Sequence, residues 1–478
     1  MLPVLLLGAV SPATAQRVAD HPRVQQSLEL VKVWLEAQRD YQQIPGLSAA
    51  IVLDQDVIWS GGVGYAHPVQ KTPAMPSTIY SICSISKLFT SVAVMQLRDQ
   101  GKVRLDDPVA KHLPWLSRLK RLKPEAGEIT VEGLLTHASG LPRESNHPYW
   151  SAPDFRFPTR DEIIEGLQNQ ESLYPAETYF QYSNLGLTLA GEVVAAASGM
   201  SYDQYVRQHI LQPLGLTSTT PEMPQAEQGK RLATGHSAID RAGKRSVMPF
   251  FQARGIAPAA GYASTVEDLS KFASWQFRVL AGKTDDVLRQ ASLREMQRVH
   301  WVDPDFETTW GLGFSVWRTG NKTFVGHGGS CPGYRTQLLL KPDEKIATIF
   351  AANAMVNSGM YAQEMYDIMA PALTRAAKDS SAKPADTTLR AYTGNYSTQP
   401  WGSEVAVIVW EDGLAAVNLP TNDPLNGMTK LKKVGEHTFR RIRDDNELGE
   451  TVRFEMGPDG KAVRYIQHGN RYPRIAGR

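Results

Sequence analysis

Ser84 and Lys87 stand at the head of an apolar stretch that includes Leu88, Val92 and Met95. Its spacing predicts a helix with the hydroxyl and the amine on one face, a turn apart. An amine in that position can take the proton of the hydroxyl and so activate it as a nucleophile. A serine at a helix start is also an ordinary N-cap, so the catalytic interpretation depends on other parts of the chain.

Two later motifs support that interpretation. Tyr182 and Asn184 belong to a Tyr-Ser-Asn sequence, in which a phenol can transfer a proton and a carboxamide can hold a substrate carbonyl. His327 begins a His-Gly-Gly sequence in a predicted strand. Glycines at 328 and 329 leave room for a substrate backbone, so this strand is interpreted as one wall of a cleft.

Taken in this order, the three motifs resemble those of the serine penicillin-recognising hydrolases. The version with Tyr-Ser-Asn second and His-Gly-Gly third is similar to the class C β-lactamase relatives, which include DD-carboxypeptidases, D-aminopeptidases and family VIII esterases. Three shorter sequences agree: LLTHASGL at 134–141, GYAST at 261–265 and WGLG at 310–313. The resemblance runs from about residue 26 to residue 372.

The resemblance implies an α/β (α+β) fold of the β-lactamase/DD-peptidase type, with an antiparallel sheet flanked by helices and an added helical region. Hydrophobic periodicity agrees with this, since it predicts helices and strands at both ends of the region and mostly helix and loop between them. The strands from the two ends would close one sheet. The predicted helices are 24–43 and 361–374, and the predicted strands are 47–53, 57–65, 313–317, 323–325, 335–340 and 346–351.

Four segments are expected along the chain. Residues 1–15 have an apolar run and an Ala-x-Ala site, which predict a signal peptide and export to the periplasm or the medium. Residues 16–375 form the hydrolase domain, and 376–388 have linker composition. Residues 389–478 contain short β runs and resemble the small lipocalin-like β-barrel found in many relatives.

Composition excludes several function classes. The 51 basic and 49 acidic residues give the 478-residue chain a net charge of +2, which offers no field for nucleic acid. No stretch after the leader is apolar enough to span a membrane. The 11 histidines and two cysteines lack metal-binding spacings, so neither metal nor cofactor is expected. A small peptide or ester is the expected partner, and the sequence leaves the oligomeric state open.

The resemblance also assigns roles. Ser84 is the expected nucleophile, with Lys87 and Tyr182 as a coupled acid–base pair, so the choice of base stays open. Tyr182 could act as a phenolate if Lys87 and His327 were both cationic. Backbone N–H groups of Ser84 and Ser330 would hold the oxyanion, and Asn184 would contact the substrate.

His327 bears on the substrate class. Relatives with lysine at this position have a permanent cation for the carboxylate of a β-lactam, whereas histidine is largely neutral at pH 7. Gly328 also lacks a hydroxyl for that carboxylate. These features disfavour an efficient β-lactamase and favour a peptidase or an esterase that acts on a neutral or amine-bearing substrate. Together with the three motifs, they predict first a peptidase acting on peptides with D- or non-standard residues. A family VIII-type carboxylesterase, a weak β-lactamase and a non-catalytic peptidoglycan-binding receptor are the alternatives.

The last expectation concerns Cys83 and Cys331. The resemblance implies a disulfide between them, because certain carbapenem-hydrolysing class A enzymes have a bridge at the same two offsets. Export would allow it to form. The alternative is a pair of small buried thiols that fill apolar space.

Overall fold

The computed structural model describes residues 17–123, 127–147, 149–379 and 386–477. The predicted signal peptide and residues 380–385 of the predicted linker lie outside these ranges. Contacts between Cα atoms divide the chain into two compact units. One unit is residues 44–362, and the other combines the chain up to residue 43 with the chain from residue 363 onward.

The helices in the first part of the chain are α1 (Pro22–Tyr41), α2 (Ser86–Asp99), α3 (Val109–His112), α4 (Val131–Leu135), α5 (Arg160–Gly166) and α6 (Asn184–Ser198). Those that follow are α7 (Tyr202–Val206), α8 (Ala257–Ala260), α9 (Val266–Leu280), α10 (Gln290–Met296) and α11 (Ser358–Lys378). Among the described residues, none of the helices has both the length and the apolar character needed to cross a bilayer.

The unit of residues 44–362 is built on a nine-stranded sheet with the order β3-β2-β1-β11-β10-β9-β8-β7-β6. Its strands are β1 (Gly46–Leu53), β2 (Asp56–His67), β3 (Thr72–Pro73), β6 (Trp301–Val302), β7 (Thr309–Trp310), β8 (Ser315–Thr319), β9 (Lys322–Cys331), β10 (Tyr334–Lys341) and β11 (Ile346–Ala352). Two short strands, β4 (Tyr80–Ser81) and β5 (Ala263–Ser264), pair separately.

Strands β1 and β11 are neighbouring inner strands of the large sheet. They pair antiparallel from Leu47 opposite Ala352 to Leu53 opposite Ile346. Every residue of β11 is buried, and α9 packs on both strands. Because such strands lie in the core, their sequences are nearly continuous apolar runs. The predicted antiparallel sheet made from both chain ends is therefore confirmed, as is the predicted fold class.

Helix α2 lies in the interior beside this sheet. Residues 86–97 are all buried, and α6 and α8 pack against the helix. A helix that is enclosed on every side needs apolar residues around its whole circumference, which the run after Lys87 supplies. Lys87 itself has no exposed surface. The first turn of α2 therefore holds an amine inside the protein.

The second unit contains a nearly closed eight-stranded barrel in simple sequential order. Its strands are β12 (Gly394–Ser397), β13 (Glu404–Trp410), β14 (Gly413–Leu419), β15 (Met428–Gly435), β16 (Thr438–Ile442), β17 (Leu448–Met456), β18 (Ala462–Gln467) and β19 (Asn470–Pro473). Helix α1 belongs to the same unit. Trp34 and Gln38 of α1 donate side-chain hydrogen bonds to the carbonyl oxygen of Thr421, over 2.8 and 2.6 Å.

Candidate active site

A cavity of about 570 Å³ lies in the unit of residues 44–362, at the free edge of β9. Strand β9 pairs with β8 only as far as Gly326, so the edge beyond Gly326 carries no partner strand among the described residues. Gly326 has a φ of +154°, and a Cβ there would overlap the carbonyl of Leu338. Only glycine suits this position. The lining includes Ser84, Tyr182, Asn184, His327, Gly328 and Ser330.

Ser84 stands in a 3₁₀ turn, Cys83–Ile85, directly before α2. The sequence predicted the serine on the helix itself, and the structure places it in this preceding turn. Its neighbour Cys83 has a φ of +50°, in the left-handed region that a residue with a side chain adopts only under constraint. The turn leaves the Ser84 side chain half-buried and open to the cavity.

Lys87 has three oxygen neighbours around its amine. Nζ lies 3.1 Å from Ser84 Oγ, 2.7 Å from Asn184 Oδ1 and 2.7 Å from the carbonyl oxygen of Ala259. Burial lowers the pKa of Lys87 well below its ordinary value of 10.5; the Glu144 carboxylate opposes this shift and the positive charge of Arg143 adds to it. Since amide and carbonyl oxygens only accept, a neutral amine gives its two hydrogens to Asn184 and Ala259. Its lone pair then points to the Ser84 hydroxyl.

Tyr182 completes this group. Its ring centroid lies 4.9 Å from Lys87 Nζ, and its phenol is hydrogen-bonded to Ser84. Burial raises the pKa of Tyr182 above its ordinary value of 10. His327 is neutral and the pKa of Lys87 is lowered, so neither of the two cations expected from the sequence supports a phenolate. The Arg143 guanidinium, 4.9 Å from the ring centroid, lowers the pKa of Tyr182 by less than burial raises it. The arrangement favours a neutral phenol.

His137, which the sequence assigned no role, supports Tyr182 from behind. The two rings lie 4.3 Å apart, and His137 Nδ1 accepts a hydrogen bond from the backbone of Ser183 over 3.0 Å. The φ of His137 is +61°, and burial lowers its pKa well below 6.5. The sequence signal that could have identified His137 is its place in LLTHASGL, one of the three shorter sequences that agree with the resemblance.

His327 is buried at the start of the free edge of β9. Its Nδ1 lies 2.6 Å from the carbonyl oxygen of Gly328. A carbonyl only accepts, so Nδ1 carries the proton and Nε2 presents a lone pair. Burial is the main reason that the pKa of His327 is lowered to about 3, and Lys87 lowers it further whenever its amine is protonated. The imidazole is therefore neutral at pH 7, which disfavours the alternative of a cationic His327 beside Tyr182.

The two glycines of the third motif have different structural roles. Gly328 lines the cavity, in keeping with the predicted cleft wall. Gly329 is buried, and a Cβ there would overlap Thr336 Oγ1 and the carbonyl oxygen of Ile82. Gly329 therefore allows β9 to approach the backbone that leads into Ser84, rather than making room for substrate. Ser330, the next residue, is exposed in the cavity.

Cys83 and Cys331 form a disulfide where β9 comes close to the turn that carries Ser84. Their Cα atoms lie 5.7 Å apart and their positions differ by 248 residues. The bridge joins the residue before Ser84 to the residue after Ser330. The two backbone N–H groups assigned to the oxyanion are thus on covalently linked segments.

Glu144 was missed at the sequence level. Its Oε1 accepts a hydrogen bond from Asn184 Nδ2 over 2.7 Å, and its Oε2 accepts one from the Tyr149 phenol. This fixes the amide so that Oδ1 faces Lys87. Arg143 Nε lies 3.4 Å from Glu144 Oε1. Both residues lie shortly after the LLTHASGL sequence, beyond Pro142, and no local periodicity marks them.

The assembled group can carry out nucleophilic acyl transfer. It contains a hydroxyl, an amine held with its lone pair toward that hydroxyl, a neutral phenol and two candidate oxyanion donors. Within the described ranges, no set of three His, Cys, Asp or Glu residues is arranged to hold a metal ion.

Comparison with known proteins gives consistent matches. The model of the family described as Beta-lactamase matches residues 31–369. Beta-lactamase-like protein 2 of Dictyostelium discoideum is 25% identical over 459 residues, which cover 90% of this chain and 79% of that protein.

Two solved structures have a similar fold. The octameric penicillin-binding protein homologue from Pyrococcus abyssi matches with a TM-score of 0.64 and 25% identity, covering 93% of this chain and 99% of that one. A D-stereospecific amidohydrolase from Streptomyces sp. matches with a TM-score of 0.58 and 23% identity, covering 72% and 98%.

Proposed function

The chain belongs to the Beta-lactamase family, and from this premise we propose that it is a serine hydrolase that forms an acyl-enzyme on Ser84. Its substrates are peptides that contain D- or otherwise non-standard residues. The observation that carries the proposal is the environment of Lys87, whose two amine hydrogens have acceptors while its third direction faces the Ser84 hydroxyl at 3.1 Å.

In the proposed reaction, Ser84 Oγ attacks the scissile carbonyl and its proton passes to Lys87. The oxyanion that forms accepts hydrogen bonds from the backbone N–H groups of Ser84 and Ser330. When the C–N bond breaks, the amine leaves with a proton relayed from Lys87 through the Tyr182 phenol. Water then attacks the ester carbonyl and Lys87 takes one of its protons. As the acyl C–O bond breaks, Lys87 returns that proton to Ser84 Oγ, which restores the hydroxyl and the neutral amine and releases the acid.

The neutral His327 argues against a β-lactamase of the kind that holds the substrate carboxylate at the third motif. An uncharged imidazole with a pKa of about 3 gives a β-lactam carboxylate no cation at the third motif. Gly328 offers it no hydroxyl. An esterase would tolerate the same features, so the scissile bond has to be determined by assay.

The test compares kcat/KM on D-alanyl peptides, p-nitrophenyl esters and nitrocefin. We expect the peptides to be the best substrates. A preference for esters by orders of magnitude would identify a family VIII-type esterase, and a preference for nitrocefin would identify a β-lactamase. Mass spectrometry of trapped protein should find the acyl group on Ser84.

Labelling with a fluorophosphonate separates the enzyme from a non-catalytic receptor. The wild type should be modified on Ser84, and Ser84→Ala should not. A correctly folded wild type that resists both fluorophosphonate and fluorescent penicillin would support a peptidoglycan-binding receptor instead.

We also propose that the protein is exported. The disulfide supports this, since such bonds persist mainly in oxidising compartments. Cell fractionation should recover the protein in the periplasm or the medium without residues 1–15. Recovery of the full-length chain in the cytosol would contradict the proposal.

A further inference from the structure

Arg143 brings a guanidinium to the cavity that holds Ser84. Its side chain is 60% exposed, and Cζ lies 4.9 Å from the centroid of the Tyr182 ring. It lines the cavity together with Ser84 and Ser330. A cation that close to the nucleophile lies within reach of the groups that flank the scissile bond.

Glu144 does not use up this cation. One of its oxygens accepts from Asn184 and the other from Tyr149, while Arg143 approaches through Nε alone, at 3.4 Å. The structure gives the terminal nitrogens of Arg143 no hydrogen-bond partner among the described residues. Glu144 therefore contacts one edge of the guanidinium. The two terminal nitrogens of Arg143 remain in solvent, where they can donate hydrogen bonds to a ligand.

The other basic groups at the site are not comparable. Lys87 is buried, its amine has three oxygen neighbours, and its pKa is lowered. His327 is neutral at pH 7. Arg143 is therefore the one permanent cation in the described lining of the cavity. A substrate anion is attracted to it, because paired N–H groups of a guanidinium match the two oxygens of a carboxylate.

We propose that Arg143 binds a carboxylate of the substrate and so makes the enzyme selective for anionic peptides. This rests on the proposed hydrolase function and adds to it the substrate class. The carboxylate comes either from the C-terminus of the peptide or from an acidic side chain next to the scissile bond. The carboxylate site thus lies beside the Tyr182 ring rather than at His327.

The experiment uses pairs of peptides that differ only in one charge. The first pair is acetyl-D-Ala-D-Ala as free acid and as amide, and the second is acetyl-D-Asp-D-Ala-amide and its D-Asn counterpart. In the wild type, kcat/KM should favour the charged member of at least one pair by about tenfold to a hundredfold, the usual effect of a charge-assisted hydrogen bond. The pair that responds identifies the source of the carboxylate.

Arg143→Gln should reduce that ratio to about one, and Arg143→Lys should leave it intermediate, because lysine keeps the charge and loses the paired geometry. Arg156→Gln is the matched control, since Arg156 is also exposed and paired with one glutamate but does not line the cavity. It should retain the wild-type ratio. The readout is the ratio of kcat/KM for the charged peptide to kcat/KM for the uncharged one. If the substitution disturbs the Tyr182 ring, activity falls equally on both peptides and the ratio does not change.

Binding keeps this test independent of turnover. Calorimetry on Ser84→Ala with the same peptides should give the same preference in Kd, and Ser84→Ala combined with Arg143→Gln should lose it. If no peptide is hydrolysed but the preference in Kd is present, the proposed function fails and the carboxylate site stands. Equal affinity for the charged and uncharged members, or a ratio unchanged in Arg143→Gln, would overturn the carboxylate site.

Discussion

Burial makes Lys87 suitable as a base, because it lowers the pKa of the amine well below 10.5. The base works only when unprotonated, so activity should fall as the pH drops through this lowered pKa and should persist above it. Lys87→Met should reduce kcat/KM by about a thousandfold, in the range typical of a lost general base. Both results come from pH profiles of kcat/KM.

Lys87→Arg is the matched variant, since it retains a positive charge but cannot lose its proton. It should be as inactive as Lys87→Met. Activity in Lys87→Arg would indicate that Tyr182 is the base. The same conclusion would follow if the pH profile of Lys87→Met kept the fall in kcat/KM at low pH that the wild type shows.

His327 should make the fold sensitive to acid. Its pKa is about 3 in the folded protein and 6.5 in the unfolded chain, so between these values only the unfolded chain takes up the proton. Stability is therefore complete above pH 6.5 and declines as the pH falls toward 3. From pH 6.5 to pH 5 this one group removes about 2 kcal/mol of unfolding free energy.

His327→Gln tests this without removing the side-chain volume. Urea unfolding at pH 7 and pH 5 should show the variant losing about 2 kcal/mol less than the wild type. Other titrating groups contribute equally to both proteins. Identical pH dependence would mean that His327 has the same pKa in the folded and the unfolded protein, which would contradict the lowered pKa.

At the scale of elements, the close approach of β9 to the turn before α2 depends on Gly329. Gly329→Ala would push β9 away from the backbone at Ile82 and shift the turn that carries Ser84. We expect kcat/KM to fall by about a hundredfold, since small displacements of a reacting group have effects of that size. Gly359→Ala is the control, because the nearest atom to its Cβ would lie 3.7 Å away. Equal activity in Gly329→Ala and Gly359→Ala would show that Gly329 does not position the turn that carries Ser84.

The sequence predicted those elements whose local pattern is strong. Strands β1 and β11 are apolar runs, and α1 and α2 have helical spacing, so their positions follow from periodicity. Strands β15 and β19 were missed. In β15 only Leu431 is buried and five other residues are exposed, so no alternation marks it. In β19 no residue is buried.

The site was predictable only as far as motifs extend. Ser84, Lys87, Tyr182 and Asn184 lie in recognisable sequences and meet in the structure. Glu144, Tyr149 and the carbonyl of Ala259 arrive through loops and a short helix far away in sequence. These groups contribute through where the fold places them, so no sequence pattern could identify them.

At the scale of the whole molecule, the disulfide spans 248 residues. Closing so long a loop stabilises the fold by at most about 5 kcal/mol in the chain-entropy model. Replacing Cys83 and Cys331 together by serine should lower the urea midpoint. Mild reduction of the wild type should lower kcat before unfolding begins, because the bridge holds the segments of Ser84 and Ser330 together.

Thiol titration in denaturant without reductant is the direct check, and protein recovered from the periplasm should show no free thiol. Two free thiols would contradict the bridge. An unaltered kcat after complete reduction would show that the bridge stabilises the fold without positioning the site.

The pairing of β1 with β11 also sets a constraint during biosynthesis. Strand β1 leaves the ribosome early, yet the neighbour that covers one of its edges is among the last parts of this unit to be made. Until then a nascent chain carries an apolar strand with an open edge, which is a template for aggregation. The unfinished chain is therefore open to aggregation for longer than a chain whose neighbouring strands are made together, and the nine-stranded sheet cannot be complete before β11 has emerged.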